Sequence, residues 1–158
     1  MPEDFDFIRT TDKPALLAFS TPAWLEASKV AVTNLGYKVH TAATHSDFIS
    51  RFSQVHYQVV LLEETFGAEK LSDNASLKAL QLMPMRLRRH ATVILLGDSF
   101  QTFTPMQAFE HSVNAVINIS ELFILGQLIE KAVSDHDFFF NSYFSAEKSL
   151  HEDQARQQ

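Results

Sequence analysis

The chain has 158 residues, no Cys and a formal net charge of −6. The lack of Cys excludes disulfides, thiol catalysis and Cys-ligated zinc or iron–sulfur sites. The acidic balance disfavours nucleic acid and anionic lipid as partners, because binding to them depends on Lys and Arg neutralising phosphates. The length favours one domain. No run approaches the ~20 apolar residues of a membrane span, and the acidic start differs from a secretory signal. We therefore expect a cytoplasmic protein without membrane contact.

Residues 1–12 interleave acidic and apolar side chains and are predicted to form an N-terminal arm. The domain itself is predicted over 13–150 and begins with a buried strand at 15–19. Thr21 and Pro22 then predict the N-cap and first turn of a helix that Gly36 ends. A strand over 37–41 and a helix capped within 45–47 follow.

The stretch Tyr57–Glu63 is predicted to be the central strand, because its apolar run suits a strand buried on both faces. Its last residue, Glu63, is a carboxylate. A helix capped by Ser72 or Asp73 follows, and Pro84 should interrupt it and leave a second short turn. A strand over 92–96, a helix opened at 104–105 and a strand over 113–119 complete the pattern. Strands alternating with helices predict an α/β fold with a doubly wound, five-stranded parallel sheet.

The last helix is predicted from Ser120 to about Leu150, roughly 45 Å, whereas a typical strand spans only ~17–20 Å. Its final turns should therefore overhang the sheet and expose an aromatic patch, and such patches usually mark interfaces. Two alternatives stay open: the patch binds a partner or a second copy, or Phe5, Phe7 and Ile8 of the arm cover it. The expected interaction surface comprises Met106, Phe109, Phe123, Phe138, Phe139, Phe140, Tyr143 and Phe144. Residues 151–158 are predicted to be a disordered tail.

The order of elements and several local strings over about residues 13–135 resemble the receiver domain of bacterial response regulators. The strings that carry this resemblance are Leu16–Pro22, Asn34–Val39, Tyr57–Glu63 and Val93–Asp98. The resemblance implies the flavodoxin-like strand order 2-1-3-4-5. The stretch from Ser112 to Phe139 also resembles, more loosely, receiver-like modules that follow a zinc ribbon in some deltaproteobacterial proteins, although the ribbon is missing.

In receivers the first strand ends in an acidic pair that holds Mg²⁺, and the third ends in the aspartate that is phosphorylated. The fourth strand ends in Thr or Ser, and the fifth in Lys followed by Pro. This sequence departs from the pattern at each position. The degenerate phosphorylation pocket comprises Phe19, Ser20, Glu63, Gly97, Asp98 and Asn118. Without the carboxylate pair, hydroxyl and ammonium, phosphoryl transfer loses its electrostatic stabilisation.

Glu63 with Asp98 allows three interpretations. In the first, the two carboxylates form a metal site or an acid/base pair. In the second, Glu63 is a fixed charge hydrogen-bonded to Asn118 or a backbone amide, while Asp98 faces solvent. In the third, Glu63 mimics a phosphorylated aspartate. The second is favoured. The seven His lack metal-ligand spacing, Ser20 lacks a nucleophile elbow, and no phosphate-binding glycine loop is present. Lys78, Arg86, Arg88, Arg89 and His90 form a basic cluster. It fits docking to an acidic partner or a nucleic-acid backbone, but such a cluster is more often a solvated face.

The sequence therefore predicts a pseudo-receiver: a non-catalytic signalling module, without cofactor or metal, that binds another signalling protein or itself. A homodimer through the last helix is one form of this hypothesis. Two rivals remain, a genuine phosphorelay receiver with another acceptor and a small-molecule or nucleotide-binding regulatory domain.

Overall fold

The computed structural model describes residues 7–156, with the backbone only for Tyr143 and Phe144. Within these residues, parallel strands form one sheet in the order β2-β1-β3-β4-β5. The strands are β1 (Pro14–Ala18), β2 (Lys38–Ala42), β3 (Val59–Glu63), β4 (Thr92–Gly97) and β5 (Ala115–Asn118). The central β3 pairs with β1 and β4, so that Leu61 lies opposite Leu17 and Ile94. The predicted doubly wound sheet and its strand order are confirmed.

Helices cover both faces of the sheet. They are α1 (Pro22–Asn34), α2 (His45–Gln54), α3 (Ala75–Leu82), α4 (Met85–Arg88), α5 (Pro105–Glu110) and α6 (Leu125–Arg156), with 3₁₀ turns at Leu71–Asp73 and Ile119–Ile124. Successive strand residues point to opposite faces. Leu62 and Leu95 therefore pack in a cluster with residues of α2, α3 and α5, whereas Leu61 and Ile94 pack in a second cluster with residues of α1 and α6.

Two predicted helix caps were wrong by one residue. The cap of α2 is Thr44, whose hydroxyl accepts from the Asp47 N–H at 3.1 Å, and not a residue within 45–47. The cap of α3 is Asn74, not Ser72 or Asp73, because the Asn74 side chain accepts from the Leu77 N–H at 3.1 Å. In both cases the side-chain oxygen satisfies an otherwise unpaired amide of the first turn. Pro84 separates α3 from α4, as predicted.

The last helix begins later and ends later than predicted. Residues 119–124 form a 3₁₀ turn in which Glu121 leaves helical geometry (φ −101°, ψ 19°), so α6 begins at Leu125 and not at Ser120. It continues to Arg156, so residues 151–156 of the predicted disordered tail are helical. No Gly or Pro follows Gly126 to stop it. At 32 residues the helix is about 48 Å long.

Along α6, burial ends well before the helix does. Leu125, Ile129 and Ala132 are buried, and His136 is the last buried residue of α6 among the side chains that the structure describes. Every described side chain from 145 to 156 is exposed. The predicted overhang is therefore present. Among the residues that the structure describes, no helix has both the length and the apolar character needed to cross a membrane.

Candidate functional site at the carboxyl edge of the sheet

Glu63, the last residue of β3, has a buried carboxylate held by three donors. The residue is only 1% exposed. Its Oε2 accepts the backbone N–H groups of Ser20 and Thr21 at 2.5 and 3.1 Å, and its Oε1 accepts the Thr21 hydroxyl at 2.6 Å. Thr21 is the N-cap of α1, so the carboxylate lies at the positive end of that helix. Charge-assisted hydrogen bonds of this kind offset the cost of burying a charge.

The Thr21 hydroxyl therefore has a different role from the predicted one. Thr21 is the N-cap, as expected, but its side chain makes no capping bond within α1. The Thr21 hydroxyl instead donates to the Glu63 carboxylate, and the same carboxylate accepts the Thr21 backbone N–H. The first turn of α1 is thus fixed to the end of β3.

The Ser20 hydroxyl joins the same two segments from the other side. It accepts from the Gly67 N–H at 2.8 Å and lies 3.4 Å from the Thr65 carbonyl oxygen, to which it donates. These contacts close the β1–α1 connection over the loop that follows β3. The Ser20 hydroxyl is therefore used in holding two loops together.

Glu64 is a second buried carboxylate, which the sequence analysis did not single out. It is 6% exposed, and its Oε1 accepts from the Ser99 N–H at 3.2 Å. Its side chain passes directly over Gly97, the last residue of β4. A Cβ placed on Gly97 would lie 2.2 Å from the Glu64 Oε1 and 2.4 Å from its Cδ. Gly97 therefore provides the space that the Glu64 side chain fills.

Asn74 ties the start of α3 to both glutamates. It is fully buried, and its side-chain amide donates to the carbonyl oxygens of Glu63 and Glu64 at 3.1 and 3.2 Å. Its side-chain oxygen caps α3. All three hydrogen bonds are intramolecular, so Asn74 acts as a structural anchor and was missed because this role depends on tertiary contacts.

Asn118 and Asp98 do not join Glu63. The Asn118 side chain donates to the Phe100 carbonyl at 2.7 Å and accepts from the Ser120 N–H at 2.9 Å, so it organises the loop after β4. Asp98 is exposed. Phe19 is 7% exposed and packs in the core cluster beneath α1 and α6. Among the described residues, no cluster of three or more metal-ligating side chains is found.

A comparison with solved structures finds receiver domains. The receiver domain of a CheY-like response regulator from Methanospirillum hungatei JF-1 is 16% identical, with 80% of this chain and 98% of that chain covered and a TM-score of 0.62. A response regulator from Thermotoga maritima is 13% identical, with coverages of 78% and 98% and a TM-score of 0.58. A CheY-like protein from Pseudomonas aeruginosa PAO1 is 15% identical, with coverages of 77% and 99% and a TM-score of 0.54.

The chain has the receiver fold. No model of a protein family matches the sequence, and no curated protein matches it. In this fold, the residues that the resemblance assigned to the phosphorylation pocket lie at or directly after the carboxyl ends of four strands. Glu63 ends β3, where the resemblance places the phosphorylated aspartate, and Gly97 ends the neighbouring β4. The structure brings Glu63 together with Ser20, but places Asp98 and Asn118 in separate contacts.

Most of the predicted interaction surface is exposed. Phe109, Phe138 and Phe139 are 82, 75 and 63% exposed, and Met106 is 74% exposed. Phe140 is half-buried, with its ring 4.6 Å from that of His136. The side chains of Tyr143 and Phe144 lie outside the described part of the structure.

These residues do not all form one surface. A groove of about 800 Å³ lies between α5 and α6 and is lined by Phe103, Phe109 and Phe139. Phe123, although 83% exposed, precedes α6 at the carboxyl edge of the sheet and does not line the groove. Phe138 lies on the other side of α6, beside Tyr37.

The alternative that the N-terminal arm covers the aromatic patch receives no support from the described residues. Phe7 is 69% exposed and Ile8 is partly buried. Neither lines the groove between α5 and α6. Phe5 lies outside the described residues.

The basic cluster is split by the structure. Arg88 is buried and donates to the carbonyl oxygens of Leu80 and Ser112 at 2.8 and 2.6 Å, and burial lowers its pKa. Arg86 and Arg89 are exposed. The interpretation of the cluster as a solvated face therefore fails for Arg88, because its guanidinium joins α3 to the loop before β5.

Two histidines form a stacked pair at the amino edge of the sheet. The rings of His56 and His90 lie 3.8 Å apart and nearly parallel, and neither ring nitrogen of His90 has a hydrogen-bond partner. Burial, followed by the neighbouring His56 and His136, lowers the pKa of His90 to about 4. His90 is therefore neutral at physiological pH.

Proposed function

We propose that this chain is a non-catalytic, cytoplasmic signalling module that has the receiver fold and acts by protein–protein contact without aspartate phosphorylation. The observation that carries the proposal is the state of Glu63. At the position where receivers have the phosphorylated aspartate, this chain has a carboxylate that is 1% exposed and bonded to three donors. A nucleophilic oxygen must be free to approach phosphorus, and both oxygens of Glu63 are already engaged.

The groups that would assist phosphoryl transfer are also replaced. Mg²⁺ requires oxygen ligands, usually carboxylates, in octahedral geometry. The positions of the acidic pair hold Phe19, which is buried in the core, and Ser20, whose hydroxyl holds the Gly67 amide. Phosphoryl transfer depends mainly on such electrostatic stabilisation, so its loss argues against the activity.

The space beside Gly97 is filled by the side chain of a second glutamate. In receivers the fourth strand ends in Thr or Ser, whereas here Gly97 leaves room for the buried Glu64 side chain. The Asn118 amide, at the position of the receiver lysine, donates to Phe100. The pocket therefore holds two permanent carboxylates with their own partners, which favours a domain fixed in one state.

The exposed aromatic surface around α5 and α6 provides the alternative means of signalling. Contiguous apolar exposure on a soluble domain usually marks a binding surface. Phe109 and Phe139 face the same groove, and both are more than half exposed. We place partner recognition there.

Phosphorylation tests the proposal directly. The protein is incubated with Mg²⁺ and a small phosphodonor and its intact mass is measured, beside a receiver domain that accepts phosphate under the same conditions. We expect the control to gain about 80 Da and this chain to remain unchanged. A stoichiometric adduct on this chain, at any residue, would overturn the proposal in favour of an atypical phosphorelay receiver.

A second measurement addresses the metal. A ligand that binds only the folded state raises the melting temperature. We expect no Mg²⁺-dependent rise for this chain, whereas a saturable rise at millimolar Mg²⁺ would contradict the loss of the magnesium site.

A further inference from the structure

We propose that a cavity between α4, α5, α6 and the loop before β5 is a binding site for a small carboxylic acid with an aromatic body. The cavity has a volume of about 430 Å³, within the ~300–1,000 Å³ of small-molecule sites. It lies at the amino edge of the sheet, at the opposite end of the strands from Glu63. The site goes beyond the proposed function, since its ligand is a small molecule and its chemistry does not involve Glu63.

The lining of this cavity is basic, although the protein is acidic. The chain has 19 Asp and Glu against 13 Lys and Arg, yet none of the described residues that line the cavity is Asp or Glu. Arg88, Arg89 and His136 all line it. Arg89 is exposed, and Arg89 and His136 make contacts with other groups, so the buried Arg88 sets the charge of the site. Electrostatic complementarity then favours an anion as the ligand.

Arg88 brings a full positive charge to the cavity without a carboxylate to balance it. The residue is only 5% exposed, and its guanidinium donates to the carbonyl oxygens of Leu80 and Ser112. These bonds use two of its five N–H groups. Burial lowers the pKa of Arg88, and no acidic group among the described residues raises it. The Leu80 carbonyl, in the last turn of α3, supplies at most about half a negative charge. Buried charges are normally paired, and an anion in the adjoining cavity would complete the pair.

Two neutral residues add donors to the same cavity. Asn114 lines it, and because its Oδ1 accepts from the Val93 N–H at 2.8 Å, its NH2 group remains a donor. Ser112 also lines it and is exposed, and its hydroxyl makes no hydrogen bond within the described part of the chain.

This donor set fits a carboxylate better than a phosphate. A guanidinium forms strong, charge-assisted hydrogen bonds with either group. One buried guanidinium with two neutral donors balances a single negative charge shared by two oxygens. A phosphate group, with a charge of about −1.5 to −2 at pH 7, would remain partly unneutralised. We therefore assign the acidic group of the ligand as a carboxylate.

The other walls of the cavity determine the body of the ligand. Met85 of α4, Phe109 of α5 and Phe140 of α6 line it, together with Val113. Binding sites for small molecules combine such apolar and aromatic walls with a few polar groups that fix the orientation. An aromatic ring joined to the carboxylate would pack against the two phenylalanines and bury apolar surface.

Calorimetric titration of the full chain with benzoate, phenylacetate and 3-phenylpropionate tests the site. We expect saturable binding of at least one acid with a Kd of about 0.1–1 mM, as suits a ligand of roughly ten heavy atoms. The uncharged amide of the same acid should bind at least about tenfold more weakly. No saturation with any of the three acids up to about 10 mM would overturn the site. An amide or inorganic phosphate that binds as tightly as the best acid would overturn the assignment of the ligand.

Asn114→Asp tests the location without disturbing the bonds of Arg88. The variant keeps the oxygen that accepts from the Val93 N–H, but it replaces the NH2 donor by a second, negatively charged oxygen. The Kd for the acid should rise at least about tenfold. Asn141→Asp is the matched control, because Asn141 is exposed on α6 and lines a cavity on the other side of that helix. The control should bind as the wild type does, and equal affinities of the two variants would overturn the site.

Ser112→Gly provides a variant whose folding is not at risk. Ser112 has a φ of 56°, a left-handed conformation that Gly adopts without strain, so the melting temperature should not fall. Loss of the hydroxyl should raise the Kd for the acid about three- to tenfold. An unchanged Kd would overturn the assigned donors. None of these titrations bears on the phosphodonor experiment, so the two proposals fail or succeed separately.

Discussion

Replacing Gly97 by Ala tests whether Glu64 fills the pocket. A Cβ on Gly97 would lie 2.2, 2.4 and 2.6 Å from the Oε1, Cδ and Cγ atoms of Glu64, distances that real contacts do not reach. The φ angle of Gly97 is not positive, so Ala brings no backbone strain. The Glu64 side chain must therefore move, and its bond to the Ser99 N–H is lost.

The expected cost follows from three contributions. Losing a hydrogen bond to a charged group costs about 1.5–3 kcal/mol. Overpacking a buried site costs about 1–3 kcal/mol. Replacing Gly by Ala restricts the unfolded chain and returns about 0.4–1 kcal/mol. We expect Gly97→Ala to lower the free energy of unfolding by about 2–5 kcal/mol, which corresponds to a fall of about 5–15 °C in Tm for a domain of this size.

Urea denaturation followed by circular dichroism measures this cost, and a double-mutant cycle assigns its cause. In a Glu64→Ala background the obstructing atoms are absent, so Gly97→Ala should be neutral or slightly stabilising there. Gly126→Ala is the control, because nothing lies within 4 Å of its Cβ and Ala favours the helix. Equal costs of Gly97→Ala in both backgrounds would refute the role of Glu64.

Two further predictions concern buried polar groups. Asn74→Ala should lower the free energy of unfolding by about 2–4 kcal/mol, because it removes the α3 cap and two hydrogen bonds to strand-end carbonyls. Urea denaturation midpoints measure this loss. A loss smaller than that for an exposed helix cap would contradict the anchoring role. His90 has a folded-state pKa of about 4, below its unfolded value, so its contribution to stability is present above pH 6.5 and is lost as pH falls from 6.5 towards 4. Allowing for solvent screening, the free energy of unfolding of the wild type should fall by about 1 kcal/mol more than that of His90→Phe between pH 7 and pH 5. Equal losses for the two proteins in urea denaturation would contradict this.

The sheet was predictable from sequence because its determinants are local. The buried apolar runs of β3 and β4 need no partner to be recognised as strands, and their alternation with amphipathic helices fixes a parallel sheet. The overhang of α6 followed in the same way from helix length. Its boundaries were less accurate, because the 3₁₀ turn before Leu125 and the continuation past Leu150 carry no strong sequence signal.

The site was only partly predictable because its contacts join distant segments. Glu63 was found by its place at the end of a strand, but its partner Thr21 looked like an ordinary helix cap. Glu64 was missed, since nothing local shows where the side chain after a strand will turn. One signal was available: Glu63 ends β3 and Glu64 follows directly, while a glycine ends the neighbouring β4, so a strand end without a side chain adjoins one with an extra carboxylate.

The contacts of these two glutamates fit the proposal that the pocket at the strand ends is structural and that binding takes place elsewhere. Glu63 fixes α1, Glu64 fixes the loop after β4, and Asn74 fixes α3 to both. A phosphorylation switch requires a charge whose arrival moves these same loops. Here two buried carboxylates already have partners among these loops, so under the proposed function no later event supplies the charge that would shift an equilibrium between two states. The aromatic side chains Phe109 and Phe139 at the groove, by contrast, are mostly exposed, and the described side chains of residues 145–156 are all exposed. Under the proposed function, regulation through this domain would depend on binding at the exposed aromatic surface rather than on chemistry at Glu63.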